Sequence, residues 1–270
     1  MDQSQIPDGK ARVVTLLSDF GDRDVYVAVM KGVIAQINPQ LTVIDLNHQI
    51  QPQNLAAARF CLMDAYPYFP QGTVHIAVVD PGVGSKRRAI AVEFAQGFLV
   101  GPDNGIFSGI LSQQQAIAAV ELTNRNYWRV TEISRTFHGR DIFAPVGANL
   151  ASGVPIQELG REIDPASLVQ LEITECQQIK NVITGSIQYI DHFGNLVSNI
   201  PGSYVQDKTW HVQVRSLTIP GCETYSDVKA GEAIALVGSH GWVEIAINSG
   251  NAQSQLQINW QDSLEIILLS

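Results

Sequence analysis

Residues 12–37 read RVVTLLSDFGDRDVYVAVMKGVIAQI and combine three local patterns. The apolar run at 12–18 ends at a polar turn, which predicts a buried strand. Asp24 can cap the helix predicted over 25–37. The apolar face of that helix repeats at every fourth position, at Val25, Val29, Val33 and Ile37. A strand, a polar turn and a helix in this order are typical of an α/β sheet.

The same alternation continues along the first 165 residues. Apolar runs predict strands at 41–46, 73–80, 89–94, 97–101 and 116–122. Helical patterns occupy 54–66, a short stretch after the GPDNG sequence, and 141–152. We therefore predict an α/β domain, with a sheet flanked by helices, over residues 1–165.

The pattern changes in the last hundred residues. From residue 181 onward, short alternating runs such as VITGSIQYID and WVEIAINSG are separated by Gly, Asn or Pro. No helical period of useful length is present in this part of the sequence. We predict an all-β C-terminal small barrel or sandwich over 181–270, joined to the first domain by a linker at 166–180.

Charge and composition narrow the classes of partner. The chain has 270 residues, which suits two domains of about 150 residues or less. Acidic residues outnumber basic ones by 26 to 17, giving a formal net charge of −9. This sign disfavours general binding to nucleic acids or to anionic membranes. We expect neither as a partner.

The N-terminal and cysteine patterns bear on location. MDQSQIPDGK is polar and lacks the features of a signal peptide, and no apolar run approaches the roughly 18 residues of a membrane span. Cys61, Cys176 and Cys222 are odd in number and widely spaced, which fits neither a disulfide framework nor a zinc site. We expect a soluble cytoplasmic protein.

Common cofactor motifs are missing from the sequence. There is no phosphate-binding loop, GxSxG elbow or HExxH, and the six histidines show no metal-ligand spacing. The sequence GVGS at 82–85 is followed by Lys86, Arg87 and Arg88 where a dinucleotide fingerprint needs a third glycine. We expect no metal and no cofactor.

Polar clusters follow the predicted strands instead. The N-terminal half carries SDFGDRD (18–24), DPGVGSKRR (80–88), GPDNG (101–105) and TFHGRD (136–141), and the β-rich half carries YIDHFGN (189–195) and GSHGW (238–242). Ligands of open α/β sheets gather at the carboxyl ends of strands. Each cluster taken alone also fits a turn, a helix cap, solvated charge or a structural histidine.

Six motifs occur in a fixed order, and together they are far more specific. They are SDFGxxDxYVxxMKG, VVDPGVG, GPDNG, TFHGRDIFAPVGA, IDxFGNLxSNI and GSxGxxEIAxN, spread over residues 12–265. With these motifs the chain resembles the S-adenosyl-L-methionine (SAM) hydrolases, or SAM hydroxide adenosyltransferases, which are related to the fluorinases and chlorinases.

The resemblance implies an architecture and a reaction. It implies an α/β domain followed by a β-barrel domain, and assembly as a homotrimer. SAM would bind between the N-terminal domain of one subunit and the C-terminal domain of the next. The implied reaction is hydrolysis of SAM, as substrate rather than cofactor, to adenosine and L-methionine.

The resemblance also implies roles for eight residues. The set that positions and activates the attacking water corresponds to Asp80, Arg87 and His138. The remaining residues would bind substrate: Asp19 the ribose diol, Asp191 the methionine amine, Phe193 and Asn195 the adenine, and Ser239 the methionine carboxylate. The residues alone leave open whether Asp80 or His138 is the base.

Two alternatives use the same clusters. A halogenase would place a serine at Gly139, a tyrosine at Asp80, an arginine at His240 and a tryptophan near Gln53. The Asp80 carboxylate would repel a halide, which argues against halogenation. A protein that only binds SAM or adenosine has no need of a water-activating Asp–Arg–His set.

Overall fold

The computed structural model describes residues 13–269, so Arg12 and the predicted features of MDQSQIPDGK lie outside the described part. The chain divides into two compact units between Leu171 and Glu172. This division falls inside the stretch 166–180 that we assigned to a linker. The same stretch also contains a short strand of the C-terminal unit, Gln177–Ile179.

The N-terminal unit is built on a seven-stranded sheet with the order β2-β1-β3-β5-β4-β6-β7. Strands β2, β1, β3 and β5 are parallel, and β5, β4, β6 and β7 are antiparallel. The central strands β1 and β3 are buried on both faces, as their continuous apolar runs predict. The strands are β1 Val13–Ser18, β2 Thr42–Asn47, β3 Thr73–Val78, β4 Ala89–Glu93, β5 Gly97–Pro102, β6 Ala118–Glu121 and β7 Arg161–Glu162.

Among its described residues, from 13 onward, this unit has four α-helices: α1 Tyr26–Ile37, α2 Leu55–Ala65, α3 Ser108–Leu111 and α4 Ala144–Ala151. The main core packs α1 and α4 against the sheet, with Met30 and Ile34 of α1 fully buried. The α/β prediction for this part of the chain is confirmed. α2 contacts β1, β2 and α3, and the Asn54 side chain caps its N-terminus.

Two details predicted for α1 are wrong. The buried face is formed by Met30, Val33 and Ile34, whereas Val25 is 68% and Ile37 38% exposed. Residues four apart are offset by about 40° around a helix, so a strict fourth-position repeat drifts off the packed face. Asp24 does not cap the helix, because Val25 occupies the cap position without a side-chain hydrogen bond.

The helix predicted over 141–152 begins earlier and in a different form. A π-helical turn spans Gly139–Phe143 and leads directly into α4. Pro145 has no backbone N–H and cannot bond the carbonyl of Asp141 four residues before it. That carbonyl instead accepts the backbone N–H of Arg129 at 3.0 Å. Arg129 therefore supplies the hydrogen bond that Pro145 cannot make to this carbonyl.

The C-terminal unit is an eight-stranded sheet that curls into a nearly closed barrel. Its order is β12-β11-β15-β9-β10-β14-β13, with β8 paired to β9. A bridge between Gly221 and Ala235 joins the two ends of this order. The predicted all-β barrel is therefore confirmed. Its strands are β8 Gln177–Ile179, β9 Val182–Ile190, β10 Leu196–Pro201, β11 Trp210–Val214, β12 Leu217–Pro220, β13 Ala233–Val237, β14 Trp242–Ile247 and β15 Ser263–Leu268.

The barrel has its own apolar core, which includes Ile183, Leu196, Val212 and Ile266. One short helix, α5 Ala252–Leu256, is capped by the Asn251 side chain and was not predicted. Within residues 13–269, no helix is both long and apolar enough to cross a membrane. Over the same range, no disulfide forms among the cysteines.

Candidate active site

A pocket of ≈ 280 Å³ opens where β1 and β3 end. These strands are parallel neighbours, so the chain leaves both of them at the same edge of the sheet. Asp19 follows β1 directly, and Asp80 follows β3 by two residues. The pocket lining includes Asp19, Phe20, Gln53, Asp80, Phe137 and His138.

Asp80, Arg87 and His138 form one hydrogen-bonded cluster at this pocket. Nε of Arg87 lies 3.0 Å from each carboxylate oxygen of Asp80, and its Nη2 donates to the Oδ2 atom as well. The same Nη2 lies 2.7 Å from Nδ1 of His138. The Asp80 side chain is only 5% exposed and that of Arg87 10%. The structure therefore brings together the three residues predicted to position and activate the attacking water.

The hydrogen bond from Arg87 and the surroundings of His138 determine where the ring carries its proton and whether the ring is charged. Arg87 can only donate hydrogen bonds, so Nδ1 of His138 accepts and the proton of the neutral ring lies on Nε2. Burial lowers the pKa of His138 below its usual value, and the charge of Arg87 lowers it further. Asp80, Asp141 and a backbone hydrogen bond with Ser134 act in the opposite direction without reversing the shift. His138 is therefore neutral at pH 7.

Two loops hold this cluster, and they pack tightly against each other. Gly84 has φ +76°, and a Cβ atom there would collide with the backbone carbonyl of Arg135. The loop that carries Arg87 thus lies against the loop that leads to His138. Only glycine combines this backbone conformation with such a close approach.

Asp141 fixes the second loop. Its buried carboxylate accepts hydrogen bonds from Arg129, Arg140 and the backbone N–H of Ser134. Burial raises the pKa of Asp141, but these hydrogen bonds outweigh burial and hold the pKa well below its usual value. Asp141 is therefore ionised, and it anchors the Ser134 backbone that bonds His138.

Asp19 also lines the pocket. Its Oδ2 atom accepts the backbone N–H of Gln53 at 2.8 Å, and Gln53 has φ +67°. Phe20 and Phe137, which line the same pocket, meet edge to face with ring centroids 5.8 Å apart. The pocket thus combines an apolar wall with two aspartates and a histidine, a typical composition for a small-molecule site.

The Asp103 cluster of the GPDNG sequence has a structural role instead. Asp103 accepts Nε of Arg88 at 2.8 Å and the backbone N–H of Val169 at 2.9 Å. Arg88 also donates to Ser167. These bonds fasten the end of the N-terminal unit beside the loop that carries Arg87.

In the C-terminal unit, one tight loop brings Asp191, Phe193 and Asn195 together. Oδ1 of Asp191 accepts the backbone N–H groups of Phe193 at 2.9 Å and Asn195 at 2.8 Å. Its Oδ2 accepts the side-chain amide of Asn195 at 2.9 Å. The ring of Phe193 is left 70% exposed.

Ser239 is exposed in the turn between β13 and β14, next to a buried cluster that sequence analysis missed. Glu244 is 3% exposed and accepts hydrogen bonds from Tyr225 at 2.5 Å and His240 at 3.0 Å. Burial, Glu244 and the charge of Asp191 raise the pKa of Tyr225. The only signal in the sequence is an acidic residue inside the apolar run WVEIAI.

A second group of residues that sequence analysis missed begins at Ser18, next to Asp19. Ser18 and His48 are linked at 2.7 Å, and His48 and Asp45 at 3.1 Å. No pattern in the sequence relates these three residues. Among residues 13–269, no three or more His, Cys, Asp or Glu side chains are grouped to hold a metal ion.

Comparison with known proteins identifies the family. Residues 14–160 match the profile of the SAM hydroxide adenosyltransferase N-terminal domain, and residues 185–265 match that of the C-terminal domain. The chain belongs to the SAM hydroxide adenosyltransferase family. The two matched ranges fall in the two structural units, and the resemblance found in the sequence is confirmed.

Individual members agree with this assignment. An "(R)-S-adenosyl-L-methionine hydrolase" of Salinispora tropica is 39% identical over 94% of this chain and 97% of its own length. A "Fluorinase" of Actinoplanes is more distant, at 26% identity over 88% of this chain and 91% of its own. A conserved protein of Thermotoga maritima has the same fold, with a TM-score of 0.89 and 33% identity over 94% of this chain and 99% of its own.

Proposed function

We propose that this protein hydrolyses SAM to adenosine and L-methionine by attack of water on C5′ of the ribose. The buried cluster of Asp80, Arg87 and His138 beside Asp19 is the observation that carries the proposal. The Salinispora tropica member, 39% identical over nearly its whole length, bears the name of this activity. Fluorinases stand at lower identity.

The chemistry explains why such a cluster is needed. SAM carries a sulfonium beside C5′, and methionine leaves as a neutral thioether, so the leaving group needs no acid. Water is a poor nucleophile, because its pKa of about 15.7 leaves little hydroxide at neutral pH. The protein must therefore hold one water in line with the C5′–S bond and stabilise its loss of a proton.

The hydrogen bonds favour Asp80 as the acceptor for this water. Nδ1 of His138 is already occupied by Arg87. Oδ2 of Asp80 accepts from both Nε and Nη2 of Arg87, whereas Oδ1 accepts from Nε and keeps a further lone pair. We assign Asp80 to accept a proton from the water and His138 to orient the cluster. The O–C5′ bond forms, the electron pair of the C5′–S bond passes to sulfur, and the proton leaves through Asp80.

Substrate binding is assigned to the other predicted residues. Asp19 would accept hydrogen bonds from the ribose diol, because its Oδ1 atom faces no backbone donor in the described contacts and Oδ2 has a spare lone pair. The exposed ring of Phe193 would stack on adenine, with Asn195 beside it. Asp191 would hold the methionine amine and Ser239 the carboxylate.

The assembly and conditions are also part of the proposal. We assign a homotrimer in which SAM lies between the N-terminal unit of one subunit and the C-terminal unit of the next, on the strength of the family resemblance. The reaction would use no metal and no cofactor, since the leaving group needs no Lewis acid. Three cysteines without a disulfide suit the reducing cytoplasm.

Chromatography of the purified protein incubated with SAM tests the activity. We expect adenosine and methionine in equal amounts, unchanged by fluoride, chloride or a metal chelator. A halogenated nucleoside would assign the chain to the halogenases instead. Bound but unreacted SAM would make it a binding protein. Sedimentation velocity tests the trimer, and a monomer that turns over SAM would contradict the shared site.

Asp80→Asn and His138→Ala test the assigned roles. We expect each variant to bind adenosine and to lose at least about 100-fold in kcat, because loss of the base costs roughly 10²–10⁴-fold and misplacement of the cluster about 10²-fold. Calorimetry measures the binding and product chromatography the turnover. Full turnover by either variant would overturn the role of that residue.

A further inference from the structure

A hydrogen-bonded chain of four residues, Ser18, His48, Asp45 and Lys31, begins next to Asp19 of the pocket. The Ser18 hydroxyl lies 2.7 Å from Nδ1 of His48, and Nε2 of His48 lies 3.1 Å from Oδ1 of Asp45. Lys31 donates to the other oxygen of Asp45 at 2.6 Å. Ser18 is 2% exposed and the His48 side chain 12%. None of these residues has been assigned a role so far.

The direction of each bond follows from the charges. Burial raises the pKa of Asp45, but Lys31 and His48 outweigh burial and lower that pKa, so Asp45 is a carboxylate. A carboxylate only accepts, and Nε2 of His48 must therefore carry a proton. In the tautomer with its proton on Nε2, Nδ1 of His48 is the acceptor for the Ser18 hydroxyl. Ser18 Oγ in turn accepts the backbone N–H of Phe20 at 3.3 Å.

The order Ser–His–Asp is that of a serine nucleophile triad, but this group cannot act as one. In such triads Nε2 faces the serine and Nδ1 the aspartate, the reverse of the order around His48. Ser18 Oγ is buried and already accepts a backbone N–H. The chain therefore serves to position backbone.

His48 joins the two loops that hold Asp19. The first loop leaves β1 at Ser18, and the second leaves β2 and runs through His48 to Gln53. The His48 carbonyl also accepts the backbone N–H of Gly21 at 2.8 Å, and Gln53 N–H binds Asp19 Oδ2 at 2.8 Å. Asp19 thus lies between contacts that His48 makes on either side, at residues 18 and 21.

We propose that His48 is a positioning residue that fixes the Asp19 carboxylate for the ribose diol, through its bonds to Ser18 and Asp45. This inference rests on the proposed function, which assigns the diol to Asp19. Without the imidazole, the buried Ser18 hydroxyl loses its acceptor and the turn at Asp19 is released. The resulting loss of affinity then affects binding of the ribose hydroxyls rather than binding of the adenine.

The test compares binding of adenosine with binding of 2′,3′-dideoxyadenosine by calorimetry. We expect the unaltered protein to prefer adenosine by about tenfold or more, the value of a hydrogen bond to a charged group. In His48→Ala we expect the preference to fall to about twofold. A loss of stability alone weakens both nucleosides by the same factor and leaves this ratio unchanged.

Two further variants make the result specific. His48→Asn retains an acceptor for Ser18, and we expect it to recover part of the preference. His211→Ala removes a histidine from strand β11 of the other unit and should leave the preference intact. The melting temperature of each variant verifies that it folds.

The outcomes separate the two proposals. A full preference for adenosine in folded His48→Ala would overturn the role of His48 and leave that of Asp19 standing. Equal binding of both nucleosides by the unaltered protein would overturn the diol assignment of Asp19, and the role of His48 with it. Adenosine formation from SAM is measured separately and does not depend on either result.

Discussion

Arg87 holds both of the groups assigned to the attacking water. Its guanidinium donates to Asp80 and to His138 from a single fork, a geometry that lysine cannot reproduce. We expect Arg87→Lys and Arg87→Gln to reduce kcat by roughly 10²–10³-fold, the cost of removing one preorganised donor. Product chromatography measures the loss.

The matched control is Arg161→Gln. Arg161 also pairs with a carboxylate, that of Glu121, but its side chain is 71% exposed. An exposed pair contributes little, so activity and stability should stay unchanged. Equal losses in the Arg87 and Arg161 variants would show that the effect is nonspecific.

The pH profile reports on the same contact. Burial and Arg87 lower the pKa of His138, so the ring is neutral above that pKa and becomes protonated as the pH falls through it. Protonation of Nδ1 breaks its bond from Arg87, and we expect kcat to fall on the acid side of pH 6.5. In Arg87→Gln the pKa of His138 should rise, because the Arg87 charge that lowers it is gone and the Asp80 charge that raises it remains.

Titration of the His138 ring by NMR checks this shift in both proteins. The assigned contact would be contradicted if the pKa of His138 were lower in Arg87→Gln. It would also be contradicted if kcat fell at the same acid pH in both proteins.

Sequence motifs identified Asp80, Arg87 and His138 but not their contacts. Arg87 and His138 are 51 residues apart, and only the folded sheet edge brings them together. Nothing in the sequence shows that Arg87 occupies Nδ1 of His138, which is why the choice of base stayed open. Ser18 and His48 were missed for the same reason, since a serine at a strand end has no pattern of its own.

The loop between β3 and β4 depends on Gly84. Alanine at this position would adopt φ +76° and place its Cβ against the Arg135 carbonyl. We expect Gly84→Ala to push apart the loops carrying Arg87 and His138 and to lower kcat by about 100-fold, as a 1 Å misplacement does.

Gly231→Ala is the control for backbone strain. Gly231 has φ +87° but nothing within 4 Å of its Cβ position. Both variants should lose about 1 kcal/mol of stability from the left-handed conformation, measured by urea unfolding. Only Gly84→Ala should lose activity, and an equal loss in Gly231→Ala would contradict the packing argument.

The elements themselves were largely predictable. Continuous apolar runs marked the buried strands, and glycine and proline marked the turns of the barrel. The π-helical turn at Gly139–Phe143 was not predictable, because its stability depends on Arg129 capturing the Asp141 carbonyl. The predicted buried face of α1 was wrong, because local spacing does not determine which side of a helix packs against the sheet.

Buried His75 makes the stability of the N-terminal unit sensitive to acid. This residue is 1% exposed in β3, and burial lowers its pKa to about 4 from 6.5. The unfolded chain therefore binds a proton first as the pH falls below 6.5, and folding is destabilised down to about pH 4. A shift of this size corresponds to about 3 kcal/mol.

Urea unfolding between pH 7 and pH 4 measures this dependence. His75→Gln keeps a polar partner for Thr15, which lies 2.8 Å from Nδ1 of His75, but has no charge to acquire. Its free energy of unfolding should fall less over this range. An unchanged slope would assign the acid sensitivity to other groups.

The central claim is that water attacks SAM, and the origin of the oxygen in adenosine tests it most directly. SAM is incubated with the protein in ¹⁸O-labelled water containing chloride, and the products are separated and weighed by mass spectrometry. We predict one ¹⁸O atom on C5′ of adenosine and none in methionine. Adenosine without the label, or chloride in its place on C5′, would contradict attack by water at this site.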